Sequence, residues 1–345
     1  MPIVIGHRGA CGYVPEHTLT SYFIAIQDGV DFVEPDLVMT KDRVLVARHE
    51  NEIGTTTNVA DHPEFAARRT TKVIDGNSVM GWFTEDFALA ELKTLRARER
   101  IPALRPANTR FDGQFQVPTF EEILALVKGV QEQRATLAHQ LGHAAPTAIG
   151  VYPETKHPSY FAGLGLAMEE PLVHTLERYG YRGRQGRAFL QSFEVGNLKA
   201  LSKMTQLPLV QLIEATGAPY DFVASGDKRT YADLIAPRGL DEIAKYAHAI
   251  GPSKSLVIPR DDQDLLQGPT SLVADAHALG VHVHAWTFRA ENNFLPRNLR
   301  SSSEPSAFGD LNTELRTYLQ AGLDGFFTDH ADLGVRARDS LLAKN

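Results

Sequence analysis

His7-Arg8-Gly9 closes the first apolar run of the chain, Ile3-Val4-Ile5, and three more charged clusters end or span β-like runs. They are Glu34-Pro35-Asp36, His49-Glu50 and Glu154-Thr155-Lys156. Glu34 and Asp36 are two apart on a strand, so their side chains share one face while Pro35 takes the other. Two such carboxylates repel unless a proton or a cation joins them. Carboxylate oxygens suit one hard divalent cation, Ca²⁺ or Mg²⁺, and Glu154 is the natural third ligand. His7 and His49 have the chemistry of an acid–base pair, because an imidazole with an ordinary pKa of about 6.5 can take or give a proton near neutrality. Arg8 can neutralise phosphate oxygens in a bidentate fashion and Lys156 as a point charge, and either can pair with Glu34 or Asp36 as well. Carboxylates for a cation, cations for an anion and two imidazoles are the equipment of phosphodiester chemistry.

Weaker signals sit at other run ends. Gln191, Phe193 and Trp286 are expected on a pocket wall, and Glu214 is a further polar candidate. His17 is expected to help cap the helix that follows it. His282 and His284 alternate on one run without sequence partners and read as structural. There is no phosphate-loop lysine motif, no Gly-x-Ser-x-Gly elbow and no His-Glu-x-x-His pair.

These residues need a scaffold that converges strand ends. Strands are expected at 3–7, 31–39, 148–154, 188–193, 207–214, 255–259, 281–288 and 324–328, with an extra strand at 43–48 across the turn Thr40-Lys41-Asp42. Between them lie helical patterns. Residues 18–28 place Leu19, Tyr22, Phe23 and Ile26 at i, i+3, i+4, i+7, with Gly29 as a stop. Thr119 to Glu122 reads as a capping box, and segments 240–250, 270–279 and 311–321 precede Gly251, Gly280 and Gly322. Alternation of this kind implies a parallel sheet, and eight strands favour a TIM (β/α)8 barrel whose strand ends meet on one face. Residues 51–117 break the rhythm and are read as an insertion that follows the second strand and its hairpin and caps the barrel mouth; 289–309 is read as a second loop over the same face. The whole chain, 1–345, is read as one domain.

Bulk properties agree. The chain has 345 residues, 43% hydrophobic and 22% charged, enough for a full core. A net charge of −7 provides no general basic field for nucleic acid. The single cysteine, Cys11, excludes an internal disulfide and a cysteine-based zinc site. No run of about 18 apolar residues could span a membrane. No signal segment precedes the first strand, so the sequence reads as cytoplasmic, or periplasmic had a signal been removed.

In order and spacing, these motifs resemble the glycerophosphodiester phosphodiesterase family across essentially the whole chain. The matching segments are His7-Arg8-Gly9, Pro15-Glu16-His17-Thr18, Glu34 with Asp36, Leu37 to Asp42, His49, Glu154 with Lys156, Gln191-Ser192-Phe193, Trp286-Thr287 and Phe327-Thr328-Asp329. The long insertion resembles the longer bacterial form known from the periplasm. The resemblance implies a TIM barrel that hydrolyses glycerophosphocholine, glycerophosphoethanolamine and similar small molecules to glycerol 3-phosphate and an alcohol. It implies Glu34, Asp36 and Glu154 as metal ligands, His7 and His49 as the acid–base pair, and Arg8 and Lys156 as phosphate contacts. A lysophospholipase D, or a barrel that binds a phosphodiester without turnover, are the alternatives. The chain departs from the family in three places: Glu50 stands where many members have Asp, Arg48 where an apolar residue is common, and His17 where shorter members have Asn.

Overall fold

The computed structural model describes residues 1–342. Its strands are β1 (Ile3–His7), β2 (Phe32–Glu34), β3 (Asp36–Met39), β4 (Leu45–Ala47), β5 (Thr70–Ile74), β6 (Asn77–Gly81), β7 (Gly150–Val151), β8 (Glu154–Thr155), β9 (Leu190–Ser192), β10 (Leu209–Ile213), β11 (Ala249–Pro252), β12 (His282–Phe288) and β13 (Gly325–Thr328). One sheet runs in the order β4-β3-β8-β9-β10-β11-β12-β13-β1-β2-β7. Every pairing in it is parallel except β3 with β4.

Two prolines explain why this sheet counts more than eight strands. Pro35 separates β2 from β3, and Pro153 helps separate β7 from β8, because proline offers no N–H to the ladder. The ladder itself continues across both breaks. Tyr152 N donates to Val33 O at 2.9 Å, Glu154 N to Pro35 O at 2.9 Å and Lys156 N to Leu37 O at 3.0 Å. So β2–β3 and β7–β8 are each one barrel strand, and the sheet closes on itself as a (β/α)8 barrel.

Helices cover the outside. Leu19–Gln27 is capped by Thr18, whose hydroxyl accepts from Ser21 N, and not by His17. Its buried face is Tyr22, Ala25 and Ile26; Leu19 and Phe23, expected inward, are exposed. The capping box at Thr119 forms as expected, with Thr119 N donating to Glu122 Oε2 at 2.7 Å and Glu122 N to Thr119 Oγ1 at 3.1 Å. Gly280 and Gly322 end their helices at φ 72° and 99°, where a side chain would be strained.

The sixth barrel strand lies elsewhere than expected. It is β11, not 255–259, and the helix before it stops at Ile243. Gly251 is therefore inside a strand; a Cβ there would lie 2.6 Å from Leu212 Cδ2. The apolar run after it forms one helical turn, Lys254–Val257, that buries Val257.

Residues 51–117 add no strand to the barrel. They carry the hairpin β5–β6, turned through Asp75 (φ 47°) and Gly76 (φ 80°), and five short helical segments. Asp-Gly is the favoured pair for such a turn. Phe65, Phe83, Phe87, Leu92 and Leu95 are buried beneath this segment. No helix among the described residues is long and apolar enough to cross a membrane.

Candidate active site

The period of two along each strand stacks the interior in layers. Ile5, Phe32, Tyr152, Val210, Ala249 and Phe327 form an apolar floor inside the barrel. The next inward positions are polar: His7 above Ile5, Glu34 above Phe32, Glu154 above Tyr152 and Asp329 above Phe327. Strand register joins them, pairing His7 with Glu34, Asp36 with Glu154, and Glu154 with Gln191. The floor closes the barrel from below; His7, Glu34, Asp36, Glu154 and Gln191 face one cavity of about 560 Å³ at the strand C-terminal ends, with Asp329 buried behind His7.

Glu34, Asp36 and Glu154 are all buried and offer ligand oxygens within 4.8 Å of one another. Burial, then the neighbouring carboxylates Asp36 and Glu154, hold Glu34 well above the usual carboxylate range. Burial lifts Glu154 to about 8, against the pull of Lys156. Burial also opposes ionisation of Asp36, but Lys156 and a hydrogen bond from His17 outweigh it and hold Asp36 well below the usual range. Three acids in this arrangement cannot all ionise without further positive charge. Gln191 Nε2 donates to Glu34 Oε1 at 2.9 Å, while its own carbonyl oxygen is buried without a hydrogen-bond partner. An oxygen-only donor set short of positive charge fits a hard divalent cation.

Each of the two line-of-site histidines has a carboxylate on Nδ1. His7 Nδ1 lies 2.6 Å from Asp329 Oδ1, and His49 Nδ1 lies 2.8 Å from Glu50 Oε1. Donation from Nδ1–H leaves the lone pair on Nε2. Lys156 Nζ reaches His49 Nε2 at 3.4 Å. Burial, then Arg8, depress His7 to about 4 against the opposing pull of Asp329. Burial, then Arg8 and Lys156, depress His49 to about 3. Both rings are neutral at neutral pH.

The cations are compensated as well as placed. Arg8 Nη1 donates to Glu16 at 2.8 Å, its Nε lies 3.3 Å from Asp36, and its backbone N donates to Glu34 Oε2 at 2.9 Å. Lys156 Nζ is 2.9 Å from Glu154 and 5.7 Å from the Phe193 ring centre. Phe193 meets Trp286 edge-on at 5.9 Å, and the Trp286 indole N–H donates to Gly251 O at 2.7 Å, which fixes this wall. Glu214, Arg100, Lys254 and Arg289 stand around the same cavity.

The other histidines singled out from the sequence lie outside it. His17 supports the site from behind, with Nε2 2.9 Å from Asp36 and Nδ1 2.7 Å from the Tyr22 hydroxyl. His284 is buried in the floor against Tyr152 at 2.7 Å, and His282 is exposed.

Several contributors come from segments without a readable motif. Arg105, from the insertion, donates to Glu291 at 2.6 Å and to Asp329 at 2.6 Å, all three buried. Arg289 donates to the same oxygen of Asp329 at 2.8 Å. Asp329 closes a matched motif, Phe327-Thr328-Asp329, which was the one available signal for it. His7, Cys11 and Asp329 also cluster closely enough for a metal. Two guanidinium groups on Asp329 already supply its countercharge, so a cation there would be repelled.

The Glycerophosphoryl diester phosphodiesterase family matches residues 7–333. A glycerophosphodiester phosphodiesterase of Arabidopsis thaliana is 35% identical over 342 residues, covering 95% of this chain and 83% of that protein. One from Haemophilus influenzae is 28% identical, covering 96% and 88%. Among solved structures, an Oleispira antarctica phosphodiesterase in complex with the product sn-glycerol-3-phosphate aligns with a TM-score of 0.61 at 18% identity, over 98% of this chain and 97% of that one. A glycerophosphodiester phosphodiesterase from Agrobacterium tumefaciens aligns at 0.56 with 15% identity, over 97% and 100%. At those identities the structural likeness speaks for the fold.

Proposed function

The chain belongs to the glycerophosphoryl diester phosphodiesterase family of enzymes, and on that premise we propose that it hydrolyses glycerophosphodiesters to sn-glycerol 3-phosphate and an alcohol with a divalent cation and two histidines. One observation carries the reading: a buried three-carboxylate cluster and two neutral imidazoles face a single cavity. Glu34, Asp36 and Glu154 would hold Ca²⁺ or Mg²⁺, which when bound supplies positive charge to a phosphoryl oxygen. Arg8 and Lys156 stabilise the negative charge that grows on the phosphoryl group. One imidazole takes the proton from the attacking hydroxyl through its Nε2 lone pair and becomes imidazolium; the other must first take up a proton at Nε2 from solvent, gives it to the leaving alkoxide and returns to the neutral form, and the first then sheds its proton to solvent. Asp329 and Glu50 accept Nδ1–H from the two rings and stabilise whichever becomes imidazolium. The nucleophile is water or the neighbouring glycerol hydroxyl; ¹⁸O-labelled solvent distinguishes them, because only direct attack gives a labelled phosphate with no cyclic species to trap.

The wall made by Phe193 and Trp286 is suited to the carbon skeleton of the substrate. The charged rim of Glu50, Arg100, Glu214, Lys254 and Arg289 favours a water-soluble diester over an acylated lipid. The test is release of glycerol 3-phosphate from glycerophosphocholine by metal-stripped protein, with Ca²⁺ or Mg²⁺ restored and His7→Ala as control. Metal-dependent release abolished in the variant supports the reading. Release from lysophosphatidylcholine alone would move it to a lysophospholipase D, and tight binding without release to a non-catalytic barrel.

A further inference from the structure

The residue after the site lysine has a left-handed backbone. His157 sits at φ 49°, and it meets another non-glycine residue in the same region, Asp75 at φ 47°. At Asp75 the Asp-Gly turn accounts for it; at His157 the surroundings must hold it, and such residues concentrate at functional sites. Here the surroundings are a chain of contacts that ends at the reaction chamber. His157 Nδ1 is 2.6 Å from Asp75 Oδ2, and His157 Nε2 is 2.9 Å from Glu50 Oε2. The other oxygen of Glu50 is 2.8 Å from His49 Nδ1.

We propose that Asp75 and His157 are positioning residues, through which the insertion hairpin holds Glu50 and thereby locks His49 in its Nδ1–H tautomer. The inference rests on the acid–base role proposed for His49. The Glu50 side chain is 47% exposed, so without a second anchor it would sample several rotamers. An imidazole supplies that anchor because its two nitrogens lie in one rigid plane and can donate in two directions at once. Burial opposes a charge on His157, but hydrogen bonds to Asp75 and Glu50 outweigh it and lift the ring to about 9. Asp75 lies at the tip of the β5–β6 hairpin, which Lys72 ties down through Glu85 at 2.9 Å and Asp86 at 2.7 Å. A carboxylate one methylene shorter at position 50 would have to reach both imidazoles from further back. The longer Glu50 and the histidine at 157 therefore form one arrangement.

The test compares His157→Gln, His157→Asn, His157→Ala and Glu50→Gln with the wild type. The Gln amide nitrogen can take the place of Nε2 and still reach Glu50, whereas Asn can keep only the Asp75 contact. With glycerophosphocholine, kcat is expected to fall roughly ten- to a hundredfold in the Ala and Asn variants, part of the roughly 10²–10⁴ that an acid–base group supplies. KM should stay within about twofold, Gln should recover most of the loss, and Glu50→Gln combined with His157→Ala should be no worse than Glu50→Gln alone. The ¹⁵N shifts of the His49 ring provide a readout that needs no turnover: Nδ1 protonated in the wild type, mixed tautomers in His157→Ala. An unchanged tautomer with kcat within twofold overturns the proposal, as does a loss that tracks only a lowered melting temperature. A wild type with no hydrolysis but a tautomer that shifts in the variant would sink the functional reading and leave this relay intact.

Discussion

Asp329 Oδ1 stands 2.6 Å from His7 Nδ1, while Asp329 Oδ2 carries both Arg105 at 2.6 Å and Arg289 at 2.8 Å. The carboxylate divides its two oxygens between a neutral imidazole and a pair of guanidinium groups. Burial opposes its ionisation, but Arg289 and Arg105 hold it well below the usual carboxylate range. It is an acceptor at every working pH.

Replacement of that acceptor should reverse the tautomer of His7. In Asp329→Asn the side-chain amide can donate to Nδ1, which places the neutral ring's proton on Nε2 and removes the carboxylate that would stabilise an imidazolium, so the ring is impaired as base or as acid. The expected result is a kcat lower by roughly 10²–10⁴, with KM little changed, as for a catalytic histidine that loses its orienting carboxylate. Steady-state kinetics on glycerophosphocholine at saturating cation decides it; a loss in KM alone would assign Asp329 to substrate binding.

Arg105→Ala should destabilise the fold as well as the site. Arg105 and its partners Glu291 and Asp329 are nearly inaccessible, so truncation strands two buried carboxylates with less countercharge. Breaking a buried pair from one side costs about 3–5 kcal/mol. Urea unfolding at neutral pH would measure it, and a cost below about 1 kcal/mol would show that Arg289 suffices for Asp329 and that Glu291 does not depend on Arg105.

Cation binding should release protons. Without a cation, burial holds Glu154 at about 8, so at pH 7 it retains a proton that its proposed ligand role requires it to lose. Titration calorimetry of Ca²⁺ or Mg²⁺ at pH 7 in buffers of different ionisation enthalpy should show at least one proton released. Affinity should weaken from pH 8 to 6. Heats that do not depend on the buffer would show that the acids are already ionised.

His284 should make the protein acid-sensitive by a separate route. Burial in the floor depresses it to about 3, against 6.5 for an unfolded chain. Between those values the unfolded state binds more protons, so stability rises with pH and is lost as pH falls below 6.5. From pH 7 to 5 the group accounts for about 2 kcal/mol. The difference in unfolding free energy between the wild type and His284→Asn should shrink by that amount over this interval. A constant difference would mean that the ring charges inside the fold.

Much of this architecture was legible because chemistry and periodicity coincide at strand ends. Glu34 with Asp36, and Glu154 with Lys156, each share a face by the period of two, and closure of the barrel brings them to the same cavity. The sixth strand was not legible: Ala249–Pro252 is four residues long and ends in Gly251-Pro252, while the apolar run beyond it has the stronger β composition. On Leu19–Gln27 the pattern misled, because Ala25 packs inward while Phe23 stays in solvent. Asp75-Gly76 is a readable turn pair, but it sits in a polar stretch with no alternating apolar run on either side. The partners of the histidines were beyond any local pattern, since Arg105 meets Asp329 across 224 positions and Asp75 meets His157 across 82.

The insertion touches both imidazole supports, Asp329 through Arg105 and Glu50 through the Asp75–His157 contact. Residues 51–117 are therefore poor material for a modular exchange. On the roles proposed for His7 and His49, a segment that lacks Arg105 or Asp75 leaves their carboxylates without these partners, and a chimera that carries it is expected to turn over slowly. Any transplant that preserves rate has to move positions 50, 157, 291 and 329 together with the segment, as a single unit of inheritance scattered over the chain.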